Sequence, residues 1–164
     1  MGDMMKVLLS TILLLTASLA YAWPKADFVL VNKSERKLYL LQKGMPFKEY
    51  VVSLGAQPEG HKLREGDEHT PEGRYILDFK KENSDYYKSI HISYPNRFDQ
   101  EQARGAGVSP GGSIMIHGFP GVVAFPASVM QAFDWTNGCI AVTNEEMDEI
   151  WNAVDIGTPI EILP

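Results

Sequence analysis

The 164-residue chain has a single cysteine, Cys139, so it can build neither an internal disulfide framework nor a cysteine-rich zinc site. It is short of positive charge: 15 Lys and Arg stand against 21 Asp and Glu, a net charge of −6. Phosphate binding needs a basic face, so nucleic acid is excluded as a partner. The N-terminal apolar run, Val7–Leu15, falls well short of the roughly 20 residues that span a bilayer. Internal repeats and low-complexity tracts are lacking, and the length suits one domain rather than two. His61, Asp67, Glu68 and His69 share a charged loop, but no HExxH or comparable ligand spacing occurs, so no metal is expected.

What is present is the composition of a folded protein, 45% apolar and 22% charged. Ten Pro and 14 Gly imply many turns and hence β structure. Lys6, the run Val7–Leu15 and the small-residue pattern Ala20-Tyr21-Ala22 read as a secretory signal peptide over residues 1–22, leaving a single domain over 23–164. The expected destination is the periplasm. In such an oxidising compartment thiols usually pair. Cys139 has no partner in its own chain, so it is either buried and inert or kept for reactivity; composition alone leaves both open.

Short runs with turn residues between them predict strands over 28–32, 37–42, 47–54, 74–79, 89–94, 113–117, 139–142 and 159–163. Thr143-Asn144-Glu145-Glu146 is a capping-box pattern opening a helix. Met147, Ile150, Trp151 and Val154 form its apolar stripe at i, i+3, i+4 and i+7. One or two further helical turns fit residues 126–133, and 95–112 reads as a long polar connection. The expected fold is mainly β, a mixed β-sheet sandwich or barrel with one or two helices.

The chemistry is concentrated between two strand ends. His117 closes the apolar run Ser113–His117, and Thr136-Asn137-Gly138-Cys139 opens the next. A free thiol is only a few per cent ionised at neutral pH, so a nucleophilic cysteine needs a base beside it, and imidazole is suited to the task. Gly138 lacks a Cβ, which lets a substrate carbonyl approach the backbone; N–H groups near Gly138 and Cys139 are candidate oxyanion donors. Taken bare, a His and a Cys at this spacing are equally those of a packed core.

These residues resemble the catalytic domain of the L,D-transpeptidases, the YkuD-like family of bacterial cell-wall enzymes. The family's His followed by Ser/Thr-x-Gly-Cys is matched by His117 and Thr136-Asn137-Gly138-Cys139. Thr70-Pro71-Glu72-Gly73 is similar to its Thr-Pro-x-Gly segment, and Lys88–Asn96 to a segment of the exported murein transpeptidase and hydrolase subgroup. The resemblance extends over nearly all of residues 26–163 and implies a mechanism without cofactor. Cys139 is the nucleophile on a peptidoglycan stem tetrapeptide. His117 is general base and then acid, the Gly118 carbonyl orients the imidazole, and Gly138 contributes to the oxyanion hole. An amine resolves the thioester, giving a cross-link or an attached lipoprotein; water in its place makes the enzyme a hydrolase. Expected partners are stem peptides and a wall-anchored lipoprotein, with the chain itself monomeric.

Two positions depart from the family pattern. Asn137 stands where a His is common, and Ala141 where an Arg is common. An Arg suits a substrate carboxylate, so Arg74, Arg97 and Arg104 are candidates to supply the missing charge. His91, Tyr94, Thr136 and Asn137 are candidate substrate contacts, and Trp135 a candidate groove wall; a structural role fits His91 and Asn137 equally. Two other classes remain open, a non-catalytic wall-binding module and a metal-dependent peptidase using His61, Asp67 and His91.

Overall fold

β1 (Phe28–Asn32) and β2 (Lys37–Gln42) bury alternate residues, Val29 and Val31 from one and Leu38 and Leu40 from the other. That is the period-two pattern of a sheet with one face on the core. The computed structural model describes residues 23–121 and 125–164, and the expected signal peptide lies outside the described residues. A two-residue turn, Lys43-Gly44 with both φ positive, joins β2 to β3 (Met45–Val51), the geometry that matches hairpin twist. The remaining strands are β4 (Gly73–Ser84), β5 (Tyr87–Ile92), β6 (Met115–His117), β7 (Ile140–Ala141) and β8 (Pro159–Leu163). They form one mixed sheet in the order β3-β2-β1-β8-β4-β5-β6-β7. β1 and β8 run parallel, as do β6 and β7; the other neighbours are antiparallel.

The sheet curls back on itself. Residues 52–56, the first three of them expected as the end of the third strand, leave β3 and pair with the β7 region instead. Ser53 and Ala141 exchange both backbone hydrogen bonds at 2.9 Å, Thr136 N–H donates to Leu54 O at 3.1 Å, and Ala56 N–H donates to Thr136 O at 2.9 Å. This pairing covers the β7 edge, which would otherwise present unpaired backbone groups. It also seats the segment before Cys139 against a second chain segment.

α1 (Arg97–Gly105) lies inside the stretch read as a connection, so the described residues hold three helices where one or two were expected. Its capping box uses Asn96 and Asp99, whose side chains each accept the other's backbone N–H. Asp99 and Ala103 are its buried residues, so no apolar stripe marks it in the sequence. α2 (Ala127–Met130) is a single turn within the expected 126–133. α3 (Asn144–Ala153) follows its sequence signals: Thr143 and Glu146 form the capping box, and Met147, Ile150 and Val154 are buried in the core, with Trp151 packed against it.

The polar loop 55–72 is held by two buried lysines. Lys33 Nζ donates to Gly60 O (2.6 Å), Thr70 O (3.0 Å) and Glu72 Oε1 (2.8 Å). Lys62 Nζ donates to Arg64 O (3.0 Å) and Asp67 Oδ1 (2.8 Å). Asp67 also accepts the N–H groups of Leu63, Arg64 and His69. Burial alone would raise the Asp67 pKa, but Lys62 and these three N–H groups outweigh it and hold the carboxyl at about 2. A carboxylate with a depressed folded pKa stabilises the fold above its ordinary value near 3.9, by about 2–3 kcal/mol here, and the gain is lost as pH falls from about 4 to 2. Asp67→Asn is therefore expected to lower unfolding free energy by at least that much at pH 7. The gap to the native protein should close in acid, as read by denaturant titrations at several pH values.

Candidate active site

The ladder registers put the chemistry on one face. Lys81 pairs with Ser89, Ser89 with His117, and His117 with Ala141, so these four form a row across β4, β5, β6 and β7. Directly paired residues share a face. Ile116 pairs with Ile140 and both are buried in the core; Cys139, one residue earlier, turns to the opposite face, that of His117. It stands diagonally from His117, about two residues along the neighbouring strand. Both line a cleft of about 500 Å³ together with Lys81, Asp85, Tyr86, Ser89, Trp135, Thr136 and Asn137.

His117 is 4% exposed. Its Nδ1 lies 2.6 Å from Gly118 O. A carbonyl only accepts, so Nδ1 carries the proton and Nε2 is the free base. Tyr86 tilts over the imidazole at 4.6 Å between centroids, and Trp135 meets it edge-on at 5.9 Å. Burial pushes the His117 pKa below its ordinary value, against the opposing pull of the Gly118 carbonyl. Gly118 itself has no room for a side chain: a Cβ would collide with Asn144 Oδ1, which accepts the Phe119 N–H at 2.8 Å. Asn144 at the start of α3 thereby fixes the peptide that orients the imidazole, a role the sequence reading did not assign.

Cys139 is half-buried. Its thiol donates to Ser113 O at 3.6 Å. Burial raises the thiol pKa, with the Met115 backbone and the charge of Lys62 pulling the other way. Both shifts act toward the neutral forms, thiol and imidazole, and away from thiolate and imidazolium. Thr136 builds the turn before the sulfur: its hydroxyl donates to Cys139 O at 2.7 Å and accepts the Gly138 N–H at 3.1 Å. The Gly138 N–H is thus bonded to the Thr136 hydroxyl in this structure. Among the described residues the Cys139 N–H has no internal acceptor, and it is the donor left for a developing oxyanion. Gly138 serves by its shape. Its φ is +117°, and a Cβ there would sit 2.5 Å from His69 O. The Thr70-Pro71 segment is the buttress behind that carbonyl, with Thr70 Oγ1 accepting the Gly55 N–H at 2.9 Å.

Other candidates lie elsewhere. His91 stacks on Phe79 and holds Asp78 Oδ1 at 2.6 Å. Tyr94 is buried and donates to Pro110 O at 3.0 Å; neither ring lines the cleft. Arg74 pairs with Glu161 and Arg97 with Glu101 on the surface, and Arg104 closes α1, so none of the three reaches the cleft. His61 accepts the Glu72 N–H at 2.9 Å and His69 bonds Asp67 O at 2.7 Å. No group of three or more His, Cys, Asp or Glu side chains is placed to hold a metal among the described residues. Tyr86, Ser89 and Ser113 are cleft residues the sequence reading missed. The alternation of β5 placed Ser89 on the face of His91, but nothing local marked it as lying beside His117.

Fold and site together define a class. The chain belongs to the L,D-transpeptidase catalytic-domain family, whose YkuD model matches residues 26–162. It is 33% identical over 134 residues to the Escherichia coli (strain K12) protein named "Putative L,D-transpeptidase YafK", covering 77% of this chain and 46% of that one. Its structure is similar to that of the helical cell shape determining protein Pgp2 from Campylobacter jejuni, with a TM-score of 0.65, 28% identity, and coverage of 82% of this chain and 46% of that one. Mycobacterium tuberculosis L,D-transpeptidase 1 shares the fold at a TM-score of 0.51 and 14% identity, over 84% of this chain and 60% of that one. The chain thus spans about half the length of YafK and Pgp2.

Proposed function

We propose that this protein is an exported cysteine acyltransferase that acts on peptidoglycan stem tetrapeptides, forming cross-links or attaching a lipoprotein. One observation carries the reading: a half-buried sulfur and an imidazole with a free Nε2 line one cleft from neighbouring strand ends. The sulfur attacks the carbonyl that follows the L-centre of the stem's diamino acid, and its proton passes to His117 Nε2. The Cys139 N–H stabilises the oxyanion. Collapse breaks the C–N bond to the terminal D-alanine, whose nitrogen takes the proton from His117. An acceptor amine then attacks the thioester carbonyl, gives its proton to His117, and the sulfur leaves and is reprotonated. A second cavity of about 650 Å³ adjoins the first across Gly112, Ser113 and Asn137 and is lined by Lys62, Glu65 and Glu68, which gives room for an acceptor beside the sulfur. The leader pattern at Ala20-Tyr21-Ala22 supports delivery to the periplasm, where such stems lie.

The half-buried sulfur is also open to water, and the same pair then hydrolyses the stem. Incubation with a defined disaccharide tetrapeptide separates the two. Cross-linked dimer with released D-alanine marks a transferase, a shortened stem alone marks a hydrolase, and unchanged substrate refutes both.

A further inference from the structure

Two peptides follow the imidazole in the chain, and they are held differently. The His117–Gly118 peptide is bonded at both ends by backbone: His117 O accepts the Val142 N–H at 3.0 Å, and the Gly118 N–H donates to Lys88 O at 3.2 Å. The Gly118–Phe119 peptide has no backbone partner among the described residues. Side chains alone hold its two ends, His117 Nδ1 the carbonyl at 2.6 Å and Asn144 Oδ1 the Phe119 N–H at 2.8 Å. A backbone N–H only donates, so the Asn144 atom that faces it is the amide oxygen. A peptide turns over about ψ of the residue before it and φ of the residue after it, and here the residue before is a glycine, which tolerates most values. Turned over, this peptide would present the Phe119 N–H to Nδ1 where the carbonyl now stands. Nδ1 would then be the acceptor, the proton would sit on Nε2, and Nε2 could take no proton from a thiol.

We infer that Asn144 is a positioning residue that sets the tautomer of His117: by accepting the Phe119 N–H it keeps the Gly118 carbonyl on Nδ1 and so keeps Nε2 free of a proton. This rests on the acyltransferase reading above, in which His117 takes the thiol proton, and adds what holds the base in its working form. Asn144 does not line the cleft, so it acts through the peptide and not on substrate. Its own place is fixed. It is the first residue of α3, directly after the Thr143 cap, and Met147 and Ile150 anchor that helix in the core. β7 lies between Cys139 and the cap. One short strand-to-helix segment therefore carries the nucleophile at one end and the lock on its base at the other.

Native protein, Asn144→Ala and Asn144→Asp, each made with isotope-labelled histidine, test this at neutral pH. The ring-nitrogen resonances of His117, assigned by their loss in His117→Ala, report the tautomer. Values of kcat and KM on a disaccharide tetrapeptide report its consequence. The native ring is expected in the Nδ1–H form. Asn144→Ala is expected to gain the Nε2–H form and to lose about 10- to 100-fold in kcat, short of the roughly 10⁴-fold loss of a catalytic imidazole held wholly in the wrong tautomer. Its KM is expected to change less than about threefold, because no substrate contact is removed. Asn144→Asp keeps an acceptor oxygen at the same reach and is expected to restore the native tautomer and kcat to within about threefold. A purely structural role would lower the melting temperature of Asn144→Ala without moving the ring resonances. An Nε2–H ring in the native protein, an Nδ1–H ring that survives intact in Asn144→Ala, or a folded Asn144→Asp protein without the native tautomer overturns the inference. If Asn144→Ala does not fold, the native and Asn144→Asp rings still decide it. Ring resonances that respond as expected in a protein with no thiol-dependent turnover of the stem refute the acyltransferase reading instead.

Discussion

Replacement of His117 by alanine is expected to lower kcat/KM by about 10²- to 10⁴-fold, the usual loss when a positioned general base is removed. The magnitude follows from the resting state of the pair. Burial depresses the imidazole pKa and raises that of the thiol, so both shifts act toward the neutral pair before substrate arrives. On the proposed reading the proton moves during attack, to the free Nε2 of the imidazole that lines the same cleft. The pH dependence follows in sign. His117 has to be neutral to act, and its pKa lies below about 6.5, so the rate rises through a midpoint on the acid side of that value and is level through neutrality. Alkylation of Cys139 by iodoacetamide without substrate is expected to be slow at pH 7 and to climb only above the ordinary thiol range. A fast alkylation plateau at pH 5–6 instead means a preformed thiolate–imidazolium pair and refutes this account of the site.

Gly138→Ala is expected to be the most damaging change at the site that leaves both reacting side chains in place. The residue sits at φ +117°, and the added Cβ would lie 2.5 Å from His69 O and 3.3 Å from Ile114 Cδ1. The nearest atom is backbone, held behind by Thr70 and by Lys33, so it cannot swing aside as a flexible side chain would. Overpacking and backbone strain each cost about 1–3 kcal/mol. A displaced turn also moves the sulfur and the Cys139 N–H relative to His117, and a shift near 1 Å costs about 10²-fold in rate. Gly44→Ala is the control. Its φ of +76° is also positive, but a Cβ there meets nothing within 4 Å, so it carries strain alone. Denaturant midpoints and kcat/KM for the two variants check the contrast. Equal losses of stability with full activity in both would contradict the crowding argument.

The parts of the fold that were legible in the sequence are those with local signals. β1, β2 and β8 alternate in a window of a few residues, and α3 announces itself through Thr143, Glu146 and the stripe from Met147 to Val154. α1 escaped because it buries only Asp99 and Ala103; a helix without an apolar face leaves no periodicity to read. The extra length of β4, out to Ser84, escaped for the related reason that its last turns are polar and reach over the cleft instead of the core. Pairing of residues 52–56 with 136–141 joins segments about half the chain apart, and no local pattern encodes it. At the site, the positions of His117, Gly118 and Cys139 follow from a motif. The Gly138 N–H could not be placed from sequence, because its acceptor, the Thr136 hydroxyl, depends on a turn geometry. His91 and Tyr94 had suitable chemistry, but alternation does not say which partner, Asp78 or Pro110 O, a side chain will find.

The central claim is that the Cys139 sulfur becomes acylated by the stem while His117 handles the proton. Rapid acid quench of the protein with a tetrapeptide stem and no acceptor amine, followed by intact and peptide mass analysis, tests it most directly. The account predicts a gain equal to the stem less its terminal D-alanine, carried on the peptide that holds Cys139 and strongly reduced in His117→Ala. Stem turnover that persists in Cys139→Ala, or an adduct found on any other residue, would contradict it.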